Sequence, residues 1–240
     1  MKKRILTILN KIPGGRFVLT KYAHLNRLFN SNSFLLDRFT NIYKDNAWGN
    51  DESVSGPGST AKNSELIGKE LPGLFKNLDV KTILDVPCGD FNWFRFVLKD
   101  LNVSYIGGDI VKQLIIENEK KYGNEKTRFI HLDITKDKLP KGDLLLCRDC
   151  LFHLSYKDIF LFLQNFLISD IKYLLTTTYT KCNMNENIIS GRYRQLNLEK
   201  PPFSFCKAKH YMDDSMGRSL ALWEKQVLYN ALINNKACKL

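Results

Sequence analysis

Ile83-Leu84-Asp85-Val86-Pro87-Cys88-Gly89-Asp90-Phe91 decides the fold. An apolar run ends in a carboxylate, a glycine turn follows, and helical spacing resumes across residues 90–99. This reads as strand, tight loop and helix. The alternation continues downstream. Strands are expected at 81–86, 104–108, 128–132, 143–147 and 173–178, with helices at 90–99, 111–122 and 156–169. Such alternation specifies an α/β fold with a parallel, doubly wound sheet. Upstream, Ser59-Thr60 offers an N-cap to a helix over 61–71. Residues 179–240 are polar and loop-rich. An antiparallel pair is expected there around 203–205 and 219–228, with Pro201-Pro202 opening an edge strand.

Of the 240 residues, 44% are apolar and 25% charged, which excludes disordered, collagen-like and low-complexity classes. The net charge of +11 is uneven. Residues 1–50 hold nine Lys/Arg against two Asp/Glu, residues 201–240 six against three, and residues 51–200 hold 21 against 20. The reading is a basic helical N-terminal extension, 1–47, ahead of a near-neutral domain, 48–240. The extension reads as short amphipathic helices broken at Pro13-Gly14-Gly15. They either pack on the domain with basic residues in water or lie on an anionic membrane surface. No run of about 18 apolar residues marks a transmembrane helix. Lys2, Lys3 and Arg4 imitate the start of an export signal, but the apolar run stops at Asn10. The expectation is a cytoplasmic protein, at most peripheral at the inner membrane face, with its six cysteines as free thiols.

In a doubly wound sheet the ligand lies beyond the carboxyl ends of the strands. A dinucleotide would want G-x-G-x-x-G in the first turn. This turn has one glycine, Gly89, and puts Asp85 and Asp90 where phosphates would lie. Carboxylates there repel a diphosphate and suit a cation. S-adenosylmethionine fits, with its ammonium, sulfonium and ribose hydroxyls. Asp109-Ile110 ends the second strand as a ribose acid, and Asp133-Ile134 ends the third as an adenine edge and face. Pro87 and Cys88 line the first turn, and Arg148 follows the fourth strand. Cys147 and Cys150 have no second pair at zinc-finger spacing, so no metal is expected.

Residues 81–178 resemble the class I S-adenosylmethionine-dependent methyltransferases in these three segments. Across about 45–230, the chain is similar to small bacterial methyltransferases of capsular and surface-polysaccharide synthesis. Trp48-Gly49, Ser55-Gly56-Pro57-Gly58-Ser59-Thr60 and Arg192-Tyr193-Arg194 carry that second likeness. The resemblance implies a Rossmann-like seven-stranded sheet of order 3-2-1-4-5-7-6 with strand 7 antiparallel, and places Trp48 and Ser59 near the cofactor. One departure matters. Phe91 replaces the third loop glycine, so the helix must stand off or tilt.

Past the fourth strand comes Arg148-Asp149-Cys150-Leu151-Phe152-His153. Methyl transfer needs the acceptor held in line with the methyl, and a hydroxyl acceptor benefits from a base. His153 is the candidate base, because imidazole titrates near neutral pH. Asp149 would orient it, take the proton itself or bind the cofactor. Amino methyltransferases typically carry Asp/Asn-Pro-Pro-aromatic here, and its absence favours oxygen over nitrogen. Arg192 and Arg194 bracket Tyr193 in a long loop and would grip an anionic group. Tyr179 and His210 join that substrate side.

The leading expectation is an O-methyltransferase for an anionic small molecule or glycan. Its acceptor would be a hydroxyl of a capsular or surface-polysaccharide sugar, or of the nucleotide-activated precursor. Alternatives are methylation of a phosphate, phosphoramidate or carboxylate oxygen, an RNA-binding or RNA-modifying protein, and a non-catalytic scaffold. Basic residues concentrated outside the domain argue against nucleic acid.

Overall fold

The computed structural model describes residues 34–99 and 101–234. The helices expected within 1–33 lie outside the described residues. Helices α1 (Phe34–Lys44) and α2 (Ala61–Asn77) precede β1 (Thr82–Asp85). Then follow α3 (Phe94–Leu98), β2 (Ser104–Asp109), α4 (Lys112–Tyr122), β3 (Thr127–His131) and β4 (Leu144–Cys147). The chain continues through α5 (Tyr156–Ile168), β5 (Tyr173–Thr178), β6 (His210–Asp213), β7 (Ser219–Glu224) and α6 (Lys225–Asn234). Among the described residues no helix is long and apolar enough to cross a membrane.

The seven strands form one sheet in the order β3-β2-β1-β4-β5-β7-β6. Strands β1 to β5 pair in parallel, and β7 runs antiparallel to both β5 and β6. The parallel strands are apolar on both faces because helices cover both. Alternate residues therefore feed two cores. Leu84, Leu145 and Leu174 face Ile159, Phe162 and Phe166 of α5. Ile83, Leu144 and Leu175 face Ile67, Leu71 and Phe75 of α2.

Helix α2 begins where Thr60 accepts a hydrogen bond from Asn63 N–H. It runs past the expected end at Leu71, through Pro72, because the apolar stripe Ile67, Leu71, Phe75 continues to bury. The expected antiparallel pair is shifted. Phe203 and Phe205 are buried loop residues, not strand: Phe203 packs on Tyr156 and Phe160, and Phe205 on Trp223. Their apolar character serves the core, and the edge strand forms later at β6. After β7 the chain turns helical at Lys225. Cys206 is disulfide-bonded, against the expectation of free thiols, and its partner lies outside the described residues.

Phe91 explains a second shift. It takes a left-handed backbone with φ of 58°. Its ring is buried against Tyr105 at 4.9 Å, Phe129 at 5.1 Å and Tyr122 at 5.3 Å. The loop after β1 therefore runs on, and α3 starts only at Phe94 rather than at residue 90. Phe91→Gly relieves the backbone strain, about 1 kcal/mol, but removes a ring whose loss typically costs about 3–5 kcal/mol. The expected net result is a loss of about 2–4 kcal/mol, read from urea unfolding.

Candidate active site

The carboxyl ends of β1, β2 and β4 meet a strap formed by residues 52–59. Asp90 anchors that strap. Its carboxylate accepts from Ser53 Oγ at 3.0 Å, Val54 N–H at 3.0 Å and Ser55 Oγ at 3.1 Å. Its own N–H donates to Ser55 Oγ at 2.9 Å. Asn92 adds bonds to the Glu52 carboxylate and the Ser59 carbonyl. Gly89, at φ of 56°, lies so close to Ser55 that a Cβ would collide with its hydroxyl. Asp90, expected at the cofactor, has both oxygens engaged by the strap. Ser59 is buried, with its carbonyl taken by Asn92.

Asp109 ends β2 with one oxygen accepting from Val111 N–H at 2.9 Å and the other from Gly89 N–H at 3.2 Å. Burial raises its pKa to about 6, against the pull of the Val111, Gly89 and Ile110 amides. A carboxylate raised by desolvation gains from further donors. Two vicinal ribose hydroxyls are such donors, so the residues present fit the ribose of S-adenosylmethionine.

Asp85 is also buried, accepts from Tyr105 Oη at 2.7 Å and lies in the field of Arg148. Burial raises its pKa to about 7. Tyr105 engages one of its two carboxylate oxygens. Asp133 closes its own turn, accepting from Thr135 N–H and Oγ1 and pairing with Lys136 at 3.2 Å. Its carboxylate thus has local partners on both oxygens. Ile134 packs in the α5-side core, and Ile110 is half-buried. Pro87 follows a cis peptide and is half-buried. Cys88 lies among core residues beside Asn118 of α4, where burial pushes its thiol up. It packs there and offers no side chain to a ligand.

At the end of β4 a charge cluster forms. Asp149, at φ of 53°, accepts from Thr177 Oγ1 at 3.0 Å and pairs with Arg218 at 2.6 Å and Arg148 at 3.4 Å. Arg148 is buried against the Trp93 ring and donates to the Gly58 carbonyl at 2.7 Å. It braces the strap through that carbonyl. A Cβ on Gly58 would strike both Asp149 and Arg218. Arg218, on the turn between β6 and β7, was missed by sequence reasoning. Gly217, at φ of 75°, marks that turn, but nothing local connects it to β4.

His153 ends a 3₁₀ turn, Leu151–His153. Its Nδ1 donates to the Arg192 carbonyl at 2.9 Å. A carbonyl only accepts, so Nδ1 carries the proton and Nε2 keeps its lone pair. The orienting group is therefore the Arg192 backbone, not Asp149, whose oxygens are held elsewhere. Burial draws the imidazole below its usual pKa, opposed by the Arg192 carbonyl and the Asp149 charge. Trp48 stacks on His153 at 5.1 Å, with Phe152 at 4.5 Å and Tyr193 at 6.1 Å completing an aromatic wall. Trp48 thus lines the histidine side.

Arg192 and Tyr193 are exposed at this wall. Arg194 is not. Its buried guanidinium donates to the carbonyls of Leu151 at 3.0 Å and Leu154 at 2.8 Å. It holds the 3₁₀ turn rather than gripping an acceptor. His210 is also displaced. It pairs in register with Leu222, which pairs with Leu175, three residues short of the Thr178 end of β5. That is about 10 Å from the strand ends, and its neighbour is Glu70 at 3.8 Å. The Cys150 thiol is hydrogen-bonded to Cys147, and that bond with burial pushes its pKa up. Among the described residues no three His, Cys, Asp or Glu cluster for a metal.

No family profile matches the chain, and no curated protein matches it in sequence. Solved structures do match in shape. One is human N-acetylserotonin methyltransferase in complex with SAM, at 11% identity and a TM-score of 0.53, covering 66% of this chain and 51% of that one. Another is the Burkholderia thailandensis 1,6-didemethyltoxoflavin-N1-methyltransferase with bound substrate and S-adenosylhomocysteine. It matches at 14% identity and a TM-score of 0.54, covering 79% of this chain and 86% of that one. The chain spans about half the length of the human enzyme. The fold is the Rossmann-like sheet of these methyltransferases.

The raised pKa of Asp85 has a measurable consequence. Its folded value lies above the unfolded carboxylate value, so the native state holds a proton that the unfolded chain releases. That contribution to stability is full below about pH 4 and is lost as pH rises through about 7. Asp85→Asn still accepts from Tyr105 but does not titrate. Urea midpoints at about pH 5 and about pH 9 are expected to fall further apart in the wild type than in Asp85→Asn.

Proposed function

We propose that the chain is an S-adenosylmethionine-dependent methyltransferase that methylates a hydroxyl oxygen. The observation that carries the reading is the fixed tautomer of His153, with Nε2 directed to base chemistry, at the same sheet edge as the Asp109–Gly89 cradle. Bound there, the cofactor supplies an electrophilic methyl on a sulfonium. Asp109 accepts from the ribose hydroxyls. The Arg192 carbonyl holds the Nδ1 proton of His153, so Nε2 takes the proton of the acceptor hydroxyl. Trp48, Phe152 and Tyr193 pack around the His153 ring. The methyltransferase names of the two structural neighbours support the cofactor.

The acceptor hydroxyl belongs, in this proposal, to a sugar of a surface glycan or its nucleotide-activated precursor. Neither neighbour's name mentions a sugar, so this rests on the likeness of the 55–60 and 192–194 segments and on the +11 charge. The Trp48 and Tyr193 rings suit the C–H face of a pyranose. Residues 1–47 would bring the site to an anionic membrane bearing lipid-linked glycan. An anionic reacting oxygen is less well served. Arg148, Arg194 and Arg218 are committed to protein partners, which leaves Arg192 to meet a negative group.

Two measurements test this. Calorimetry is expected to give micromolar S-adenosylhomocysteine binding that Asp109→Ala weakens by about 30-fold or more, with circular dichroism unchanged. Absence of binding to the wild type would sink the proposal. His153→Ala is expected to lower kcat by about 10²–10⁴-fold with KM little changed. A loss of only a few-fold would instead favour a phosphate, phosphoramidate or carboxylate oxygen, which needs no base.

A further inference from the structure

Five consecutive residues around the candidate base, Leu151 to Ser155, are each bonded to the loop that follows β5. Arg194 Nη1 donates to the Leu151 carbonyl at 3.0 Å and Nη2 to the Leu154 carbonyl at 2.8 Å. The Arg194 amide donates to the Phe152 carbonyl at 3.3 Å, and the Gly191 amide to the His153 carbonyl at 2.7 Å. Ser190 Oγ accepts from the Ser155 amide at 2.8 Å. His153 Nδ1 donates in return to the Arg192 carbonyl at 2.9 Å. Arg194 thus grips the turn on both sides of His153, two residues after the carbonyl that takes the ring proton.

Among the described residues three arginines are buried, Arg148, Arg194 and Arg218. Arg148 and Arg218 pair with Asp149, and Arg218 also with Asp214. Arg194 pairs with no carboxylate among the described residues. Its guanidinium donates to the Leu151, Leu154 and Glu186 carbonyls. A buried cation without a counter-charge is costly, and neutral carbonyls offset only part of that cost. Holding the turn does not require the charge, since a neutral amide also donates to carbonyls. What the charge adds is a field at His153, where a nearby cation disfavours the imidazolium.

The other groups around the ring do not supply that field. Asp149, past β4, favours the imidazolium. Arg218, from the β6–β7 turn, opposes it but is neutralised by Asp149 and Asp214. Trp48, Phe152 and Tyr193 bring uncharged rings. Arg192 is exposed, and Arg38 of α1 lies over Gly191, on the outer side of the loop.

We infer that Arg194 is a positioning residue for the base: its bonds hold His153 Nδ1 on the Arg192 carbonyl, and its unpaired charge keeps the ring neutral and able to take a proton at Nε2. The base role of His153 rests on the methyltransferase reading of this site; the placement of its ring does not.

The test is a histidine nitrogen NMR titration of the full chain, with the His153 signal assigned by its loss in His153→Gln. The wild type is expected to show the Nδ1–H tautomer and a midpoint below the ordinary value of about 6.5. Arg194→Gln keeps a donor and drops the charge. It is expected to raise the midpoint by about 0.5–1 pH unit. Arg194→Lys, which keeps the charge, should restore the wild-type midpoint. Ser190→Ala, which loosens the same loop and keeps the cation, should not raise it. A wild-type midpoint at or above about 6.5, or an Nε2–H tautomer, overturns the inference without any variant. So does a wild-type midpoint in an Arg194→Gln protein whose circular dichroism is native, and so does an equal rise in Ser190→Ala. Calorimetry with S-adenosylhomocysteine on the same samples separates the two readings. Absence of binding beside the expected titration removes the methyltransferase reading and leaves Arg194 as the residue that holds the ring.

Discussion

The carboxylate of Asp149 joins four segments that are far apart in the chain. One oxygen receives Thr177 of β5, and the other receives Arg218 from the β6–β7 turn and Arg148 from just past β4. Through Arg148 the cluster reaches the Gly58 carbonyl of the strap. A buried ion pair gains little over an apolar core, but removing one member costs about 3–5 kcal/mol because it strands the other charge. The cluster is therefore less a source of stability than a fixed point. It sets where the strap and the β6–β7 turn stand. The left-handed backbone of Asp149 is the strain that this arrangement carries.

Much of the sheet was legible because its signals are local. Asp85, Asp109 and Asp133 each follow an apolar run, and each ends at or just past a strand. What those carboxylates do was not legible, since it depends on partners elsewhere. Asp109 faces the Gly89 amide across the turn, whereas Asp133 bends back onto Thr135 and Asp90 onto Ser53. A short polar side chain at a turn looks the same in sequence whether it serves a ligand or its own backbone. The arginines show the same limit. Arg192 and Arg194 differ by two positions, yet one is exposed and the other is buried under three carbonyls. Arg218 carried no signal, because its partner Asp149 follows β4, 69 positions away in the chain.

The candidate site also concentrates unfavourable electrostatics. Asp85 and Asp109 lie at the ends of neighbouring strands, and burial raises both. Kept ionised, they burden the folded chain. That burden is what a bound group rich in donors or positive charge relieves, so cost to the fold and affinity for a ligand are one property. His153 follows the opposite logic. Burial lowers its pKa and keeps it unprotonated, and a backbone carbonyl rather than a second acid sets its tautomer.

Phe91 also bears on ligand choice. In a dinucleotide site the helix after the first strand starts at once and turns its amide groups toward phosphate. Here an aromatic plug shared with Tyr105, Tyr122 and Phe129 occupies that entrance, and the helix begins three residues later. A single change of Phe91 to glycine would open a hole before it opened a phosphate site. A phosphate site here would need coordinated change on β2, α4 and β3, so hydrophobic packing, as much as charge, restricts what this turn can hold.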